Sequence, residues 1–411
     1  MSPFGELENE HAAEGVPARP IGIARLSQLA FDGVDLQPLW RELLDAFVAG
    51  ADDAATLMDL ATLEQLFGNV PGGVECQSRA LERTRLYRSP CDAAQPGLRL
   101  LALAAPGDIG ANTPLEFLLD GSDIVLDTLY VVPEDEKPAH LPPFDLAIVA
   151  AGESDANAAV LAEIEGLVVG WRQPVLNQPS RIALLSRQRV AALMQGAAGL
   201  IAPPTLRIAK AELARFGDGQ LALAPGMAFP LIVRPVDSHA GRGLARLADA
   251  GALRRYLADR TEADFFVAPF VDYRSVDGLF RKSRIAFIGG RPFACHMAIS
   301  DQWMIYYLNA GMRESAAKRD EEAQFFANFD DDFAIRHAGA LSAIATRIGL
   351  DYFAIDCAEL RDGRLLLFEA DIAMIVHAMD PPDVFPYKGP QMRKVFDAFR
   401  TYLLHKAGRA A

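Results

Sequence analysis

Three carboxylates near the end of the chain have a spacing that can do chemistry. Asp362-Gly363 is a pair that forms two-residue hairpin turns, and apolar runs flank it, Tyr352-Phe353-Ala354-Ile355 and Leu365-Leu366-Leu367-Phe368. Such a turn sets Arg361 opposite Arg364 and Asp356 opposite Glu369, so the two carboxylates share a face. Asp371 projects to the same face, because strand side chains alternate. Three like charges repel unless a cation lies among them, and an all-oxygen set selects a hard ion, Mg²⁺ or Mn²⁺. Asp356, Glu369 and Asp371 are therefore the candidate metal ligands.

A metal of this kind commonly bridges phosphates, which calls for cations and close backbone approach nearby. The run Phe229-Pro230-Leu231-Ile232-Val233-Arg234-Pro235 reads as a strand ending in a guanidinium. It leads into Asp237-Ser238-His239-Ala240-Gly241-Arg242-Gly243, whose small residues let backbone N–H groups reach an anion. This loop lacks the Gly-Lys-Ser/Thr ending of a Walker A motif and the GxGxxG spacing. In Arg281-Lys282-Ser283-Arg284, an extended backbone puts Lys282 and Arg284 on one face.

The elements that must position these groups fit a chain of 411 residues, which has room for two or three domains, and a 51% hydrophobic content builds the core. A net charge of −14 argues against nucleic-acid or anionic-membrane binding, which needs a positive field, but permits a small anionic ligand. Cys76, Cys91, Cys295 and Cys357 follow no metal-binding spacing and are expected as free thiols in a reducing compartment. There is neither a secretory signal pattern nor an apolar run of bilayer length, so a soluble cytoplasmic protein is expected.

Residues 1–19 are polar and aperiodic, a disordered tail. Residues 20–95 read as a helical domain. Leu36, Leu39, Trp40, Leu43, Leu44 and Phe47 recur at helical spacing, as do Leu57, Leu60, Ala61, Leu63 and Leu66 after Asp52-Asp53. Gly68-Asn69 and Pro71-Gly72-Gly73 punctuate it. With no chemical constellation of its own, this domain is expected to pack, or to bind a partner protein or a second copy. Residues 96–176 form a small Rossmann-like α/β domain with a mainly parallel sheet: strands at 98–104, 124–132 and 145–150, and a helix opened by Pro114. Its loop at 106–113 lies where such sheets bind ligands. Residues 177–411 mix hairpins and helices in an α+β pattern of two lobes, about 177–265 and 266–405. They include strands at 229–233 and 265–271, a hairpin about Gly289-Gly290 and a long helix at 333–348.

In this order the motifs resemble those of the ATP-grasp superfamily, over most of residues 98–405. Asn177-Gln178-Pro179 resembles the linker that follows a pre-ATP-grasp domain. Arg187 or Arg189 stands near the family's first phosphate-binding lysine, and Arg189 is the candidate. Arg234-Pro235 resembles the strand-borne lysine-proline at the α-phosphate, and Ser238, His239, Ala240, Gly241, Arg242 and Gly243 the phosphate lid. Val267-Ala268-Pro269-Phe270-Val271 resembles the strand whose backbone reads adenine. Asp272 then stands for the ribose contact, and Phe368 joins the nucleotide-binding set. Arg284 matches the arginine at the γ-phosphate and acyl phosphate, with Lys282 beside it, while Asp356 and Glu369-Ala370-Asp371 match the metal-binding Asp/Glu and E-x-N. The chain departs from the pattern in its arginines for lysines, in Asp371 for asparagine and in Ala268-Pro269 within the hinge. Arginine binds phosphate, and aspartate binds Mg²⁺.

The resemblance implies ATP and Mg²⁺ (or Mn²⁺) and a two-step reaction. A small-molecule or peptide carboxylate becomes an acyl phosphate, and an amine displaces phosphate to give an amide. His296 and His377, near the reacting centre, are candidates to orient substrate or act as base. The alternatives are an ATP-grasp phosphotransferase and a non-catalytic nucleotide-binding module whose helices recruit a partner.

Overall fold

The computed structural model describes residues 16–50, 53–91, 93, 95–133, 140–238 and 241–409. The first three helices, Ile23–Phe31, Gln37–Val48 and Ala54–Leu66, bury the periodic leucines Leu26, Leu39, Leu43, Leu60 and Leu63 against one another. Asp53 caps the third, accepting from the Ala55 and Thr56 N–H groups; Asp52 and residues 1–15 lie outside the described residues. Pro71-Gly72-Gly73, read from sequence as punctuation, lies in the first turn of a fourth helix, Val70–Leu81, capped by Asn69. Proline in the first turn gives up an N–H that has no helical partner anyway. Gly73 serves close approach, since a Cβ there would lie 2.7 Å from the Ala61 carbonyl oxygen on the neighbouring helix.

The expected tail is ordered at its end: Ala18 bridges to Tyr87 in β1 (Leu86–Arg88). That strand, within the region read as helical, joins the sheet of the next domain. The sheet runs β1-β3-β2-β4-β5, with β2 (Leu98–Ala104), β3 (Ile124–Tyr130), β4 (Leu146–Val149) and β5 (Val175–Leu176) parallel and β1 antiparallel at the edge. The loop after β2 is clamped from the helices. Gln65 Oε1 accepts from Ile109 N (2.8 Å) and Gln77 Oε1 from Gly107 N (2.7 Å).

Two further sheets follow. The first runs β7-β10-β8-β9, from β7 (Leu206–Ala209), β8 (Leu231–Pro235), β9 (Ala245–Leu247) and β10 (Asp264–Pro269). It packs its own core, including Leu213, Val233, Leu253, Phe265 and Val267. The second runs β12-β11-β13-β14-β6, from β6 (Leu200–Ile201), β11 (Phe280–Ile288), β12 (Arg291–Ser300), β13 (Tyr352–Glu359) and β14 (Leu365–Asp371). Alternation along β11 and β13 divides its faces. Ile285, Phe287, Phe353 and Ile355 pack with Leu341 and Ile344 of the helix Ala338–Ile348, while Ala286, Ile288 and Tyr352 pack with Phe396 and Phe399 of Lys388–Lys406. Both of those cores continue into the parallel sheet, through Leu101 and Leu103 on one side and Leu98 and Leu100 on the other. The β7–β10 lobe is thus a separately packed body, whereas the larger lobe and the parallel sheet share their interior.

Gly289 and Gly290, at φ 57° and 82°, make the expected two-residue turn between β11 and β12. The helix expected at 333–348 is interrupted. A π-turn at Phe329–Phe333 and a short helix Ala334–Arg336 precede His337, whose ring is tethered to Glu359 (3.1 Å). Among the described residues no helix is long and apolar enough to cross a membrane.

Candidate active site

A cavity of about 860 Å³ opens between the β7–β10 lobe and the larger lobe, and the β13–β14 hairpin forms much of its floor. Asp356 lies opposite Glu369, and Ala354 opposite Asp371, but the outer half pairs Cys357 with Leu367 and Glu359 with Leu365. The turn is therefore not the two-residue one expected. It holds Arg361-Asp362-Gly363, with Gly363 at φ 81° and Leu360 N donating to Arg364 O (2.9 Å). The offset is taken up by a bulge at Phe368, which returns Glu369 to Asp356. Consecutive strand residues normally face opposite ways; the bulge lets both Phe368 and Glu369 line the cavity, along with Asp371.

The repulsion expected among the carboxylates is relieved by the protein's own cations. Asp356, 1% exposed, accepts from Arg284 Nε (2.9 Å) and Nη2 (3.2 Å) and from Lys282 Nζ (2.8 Å). Burial alone would raise its pKa; the Arg284 and Lys282 charges outweigh that and hold the carboxyl well below the usual range. Glu369 is likewise pushed up by burial and brought down, on balance, chiefly by its ion pair with Arg187. Among the described residues no three His, Cys, Asp or Glu side chains are grouped as a metal cage. Mg²⁺ in nucleotide sites takes only one or two carboxylates besides phosphate. Glu369 and Asp371, all-oxygen donors on the cavity floor, fit that mode.

Of the two arginines weighed from sequence, Arg187 and not Arg189 reaches the cavity. On the helix Arg187–Leu193, Arg187 shares a face with Val190 and Ala191, and all three line the cavity. Arg189 is turned away from the cavity; it donates to Ala183 O (2.5 Å) and lines a smaller cleft with Glu153 and Asp237. In that cleft burial and the neighbouring charges of Asp237 and Asp371 raise Glu153 to about 7.

Arg234, 8% exposed, lines the cavity and ties down Ser238 by Nε–Oγ (3.1 Å) and a bond to its carbonyl. Burial and then Arg187 lower its pKa to about 10, so it stays a cation at neutral pH. From the glycine loop Gly241 and Leu244 reach the cavity, Arg242 is exposed, and Gly243 packs where a Cβ would strike Pro235 at 2.7 Å. His239 and Ala240 lie outside the described residues. Pro269, Phe270, Val271 and Phe368 line an apolar slot with Ile232 and Tyr273, and Arg246 stacks over Phe270 at 4.0 Å. Asp272 is not in the slot; it is paired on the surface with Arg274 (2.5 Å).

The cavity also holds residues that sequence reasoning missed. Lys388, 3% exposed in its side chain, donates to Asp380 (2.9 Å) and to Tyr307 Oη, and lies 3.6 Å from Glu322. Glu322 is fully buried and accepts from Met297 N (3.0 Å), Tyr307 Oη (3.0 Å) and Tyr387 Oη (2.6 Å). His296 packs against Tyr307, its Nδ1 buried with no hydrogen-bond partner among the described residues, and burial followed by the Arg284 charge keeps it neutral. His377 lies beside Phe31 and Phe117, accepts from Met379 N at Nδ1 (3.1 Å), and is lowered to about 4 by burial. Phe31, Ser27 and Ala30 come from the first helix, so the N-terminal helices form a wall of the cavity. Nothing local distinguished Lys388, Glu322 or Phe31 in the sequence, since their partners are far away in the chain.

No protein-family profile matches the chain, and no curated protein matches it in sequence. Among solved structures, the fold is similar to that of a RimK domain ATP-grasp protein from Sphaerobacter thermophilus, at 15% identity and a TM-score of 0.42, over 74% of this chain and 99% of that one. It is also similar to the VanG D-Ala:D-Ser ligase from Enterococcus faecalis, at 13% identity and a TM-score of 0.46, again over 74% of this chain and 99% of that one.

Proposed function

We propose that the chain is an ATP-dependent ligase of the ATP-grasp type, which activates a carboxylate as an acyl phosphate and joins it to an amine. The observation that carries this is one cavity wall on which Arg187, Arg234, Lys282 and Arg284 alternate with Asp356, Glu369 and Asp371, beside an apolar slot suited to a planar base. Such a wall suits a polyphosphate, because its cations oppose the charge that accumulates when two anions are brought together. A carboxylate oxygen attacks the γ-phosphorus, the bond to the β–γ bridging oxygen breaks, and ADP leaves. The amine nitrogen then attacks the carbonyl carbon, the bond to the phosphate oxygen breaks, and phosphate leaves as the nitrogen loses its proton. Arg284 is the cation for the transferred group: its side chain is fixed by Asp356 and by Nη1 donating to Ile375 O (2.9 Å). Glu369 and Asp371 would hold Mg²⁺ or Mn²⁺, which supplies further neutralisation of phosphate charge. The four free cysteines suit a reducing, cytoplasmic setting.

The test is a trap. Enzyme, MgATP, a carboxylate panel and hydroxylamine should yield hydroxamate and ADP in equal amounts, none after removal of divalent ions, with kcat reduced about 10²–10³-fold in Arg284→Ala. ATP consumption with a stable phosphorylated product and no hydroxamate would establish the phosphotransferase instead.

A further inference from the structure

The part of the cavity around Lys388 and Asp380 is built unlike the phosphate wall. Here one ammonium, Lys388, serves two carboxylates, of which Asp380 lines the cavity and Glu322 is buried behind it. Lys388 spends its hydrogen bonds on Tyr307 and Asp380 and lies near Glu322, while Glu322 is already filled by three donors. Asp380 accepts from Lys388 with one oxygen, has no second hydrogen-bond donor among the described residues, and lines the cavity. Within this cluster two carboxylates meet one ammonium, and burial pushes the pKa of Glu322 up; Asp380 is the carboxylate that faces the cavity, where an incoming cation would meet it. The walls above this floor are apolar: Phe31 from the first helix, Ile109 from the loop after β2, and Met374 and Met379. The chain between Met374 and Asp380 also carries the carbonyl that fixes Arg284, so this floor adjoins the reacting centre.

We infer that this part of the cavity binds the amine substrate as a primary ammonium on Asp380 with an apolar body against Phe31, Ile109 and Met374, so that the N-terminal helical domain selects the substrate. This rests on the ligase reading for what happens to the amine, but not for its binding. The geometry assigns the specificity to a body of aliphatic or aromatic side-chain size, because Phe31 stands against His377 (ring centroids 6.0 Å) and closes the wall. Fully burying such a side chain is worth roughly 1.5–3 kcal/mol, which is about 10- to 150-fold in affinity.

Calorimetry on the full chain, with and without Mg²⁺ and a non-hydrolysable ATP analogue, tests it with phenylalaninamide, leucinamide, glycinamide and N-acetylphenylalanine. Phenylalaninamide and leucinamide should bind at least about tenfold tighter than glycinamide. Asp380→Asn should weaken them by about tenfold or more. Phe31→Ala should remove most of their advantage over glycinamide, while Phe31→Leu keeps it. Affinity for the ATP analogue should be unchanged in all three variants, which also reports that they fold. The inference is overturned if no amine binds, if glycinamide binds as well as the apolar amides, or if N-acetylphenylalanine binds instead and improves in Asp380→Asn. If the apolar amides bind as expected but the nucleotide does not bind at all, the ligase proposal fails and this site stands.

Discussion

Two neighbouring buried ion clusters beside the cavity have opposite ratios of cation to carboxylate. At one, a single carboxylate, Asp356, is shared by Lys282 and Arg284; at the other, a single ammonium, Lys388, is shared by Asp380 and Glu322. A one-to-one pair is complete and has little use for a ligand. A shared counter-ion leaves charge that a ligand of the right sign would complete, and the proposed placing of the anion and the amine follows that ratio. The difference also shows why neither cluster was built as a simple stabilising bridge: replacing such groups by apolar ones often costs nothing, whereas removing one partner does.

Removing the shared ion should break the comparison most severely. Lys388→Met strands two buried carboxylates and is expected to lower stability by about 3–5 kcal/mol, read as a shifted urea midpoint. Adding Glu322→Gln should recover part of the loss, because the double variant strands less charge. An unshifted midpoint in Lys388→Met would mean that no such imbalance exists in that cluster.

At the phosphate wall, Arg234→Ala should weaken ATP binding by about 1.5–3 kcal/mol, the usual worth of a charged hydrogen bond, with amine binding unaltered. Equal calorimetric affinity would take Arg234 out of the site. The smallest effect is a pH dependence. His377 has its pKa lowered from 6.5 to about 4, so the unfolded chain binds this proton more readily than the folded one. Its contribution is complete above 6.5 and is lost as pH falls from 6.5 towards 4, about 1–2 kcal/mol after allowance for partial exposure. Wild type should therefore lose more thermal stability over that interval than His377→Asn. Parallel losses would show that His377 titrates normally, and a protonated His377 would itself supply the positive charge assigned to the amine.

What could be read from the sequence follows the range of the interactions. The pairing of Asp356 with Glu369 is local, set by one hairpin, and the alternation that puts Lys282 beside Arg284 is local too. The choice between Arg187 and Arg189 was not within reach: the two differ by about 200° around the helix, but both have apolar residues three and four positions on, Val190 and Ala191 for one, Ala192 and Leu193 for the other. The cation-seeking floor was out of reach. Lys388 meets Glu322 across 66 positions and Tyr307 across 81, and nothing in the runs around them marks either as buried. Phe31 likewise sits in a regular amphipathic pattern whose function as a wall depends on where a different domain folds.

The bulge at Phe368 separates the β13–β14 hairpin into two registers, an outer one set by the Arg361-Asp362-Gly363 loop and an inner one holding Asp356 against Glu369. One extra residue in the loop and one in the strand cancel. Shortening the loop by a residue while straightening the strand would keep the same carboxylates face to face. The tip of this hairpin is thus a place where length can drift over evolutionary time without disturbing the chemistry at its base, as a slack link does in a chain under load.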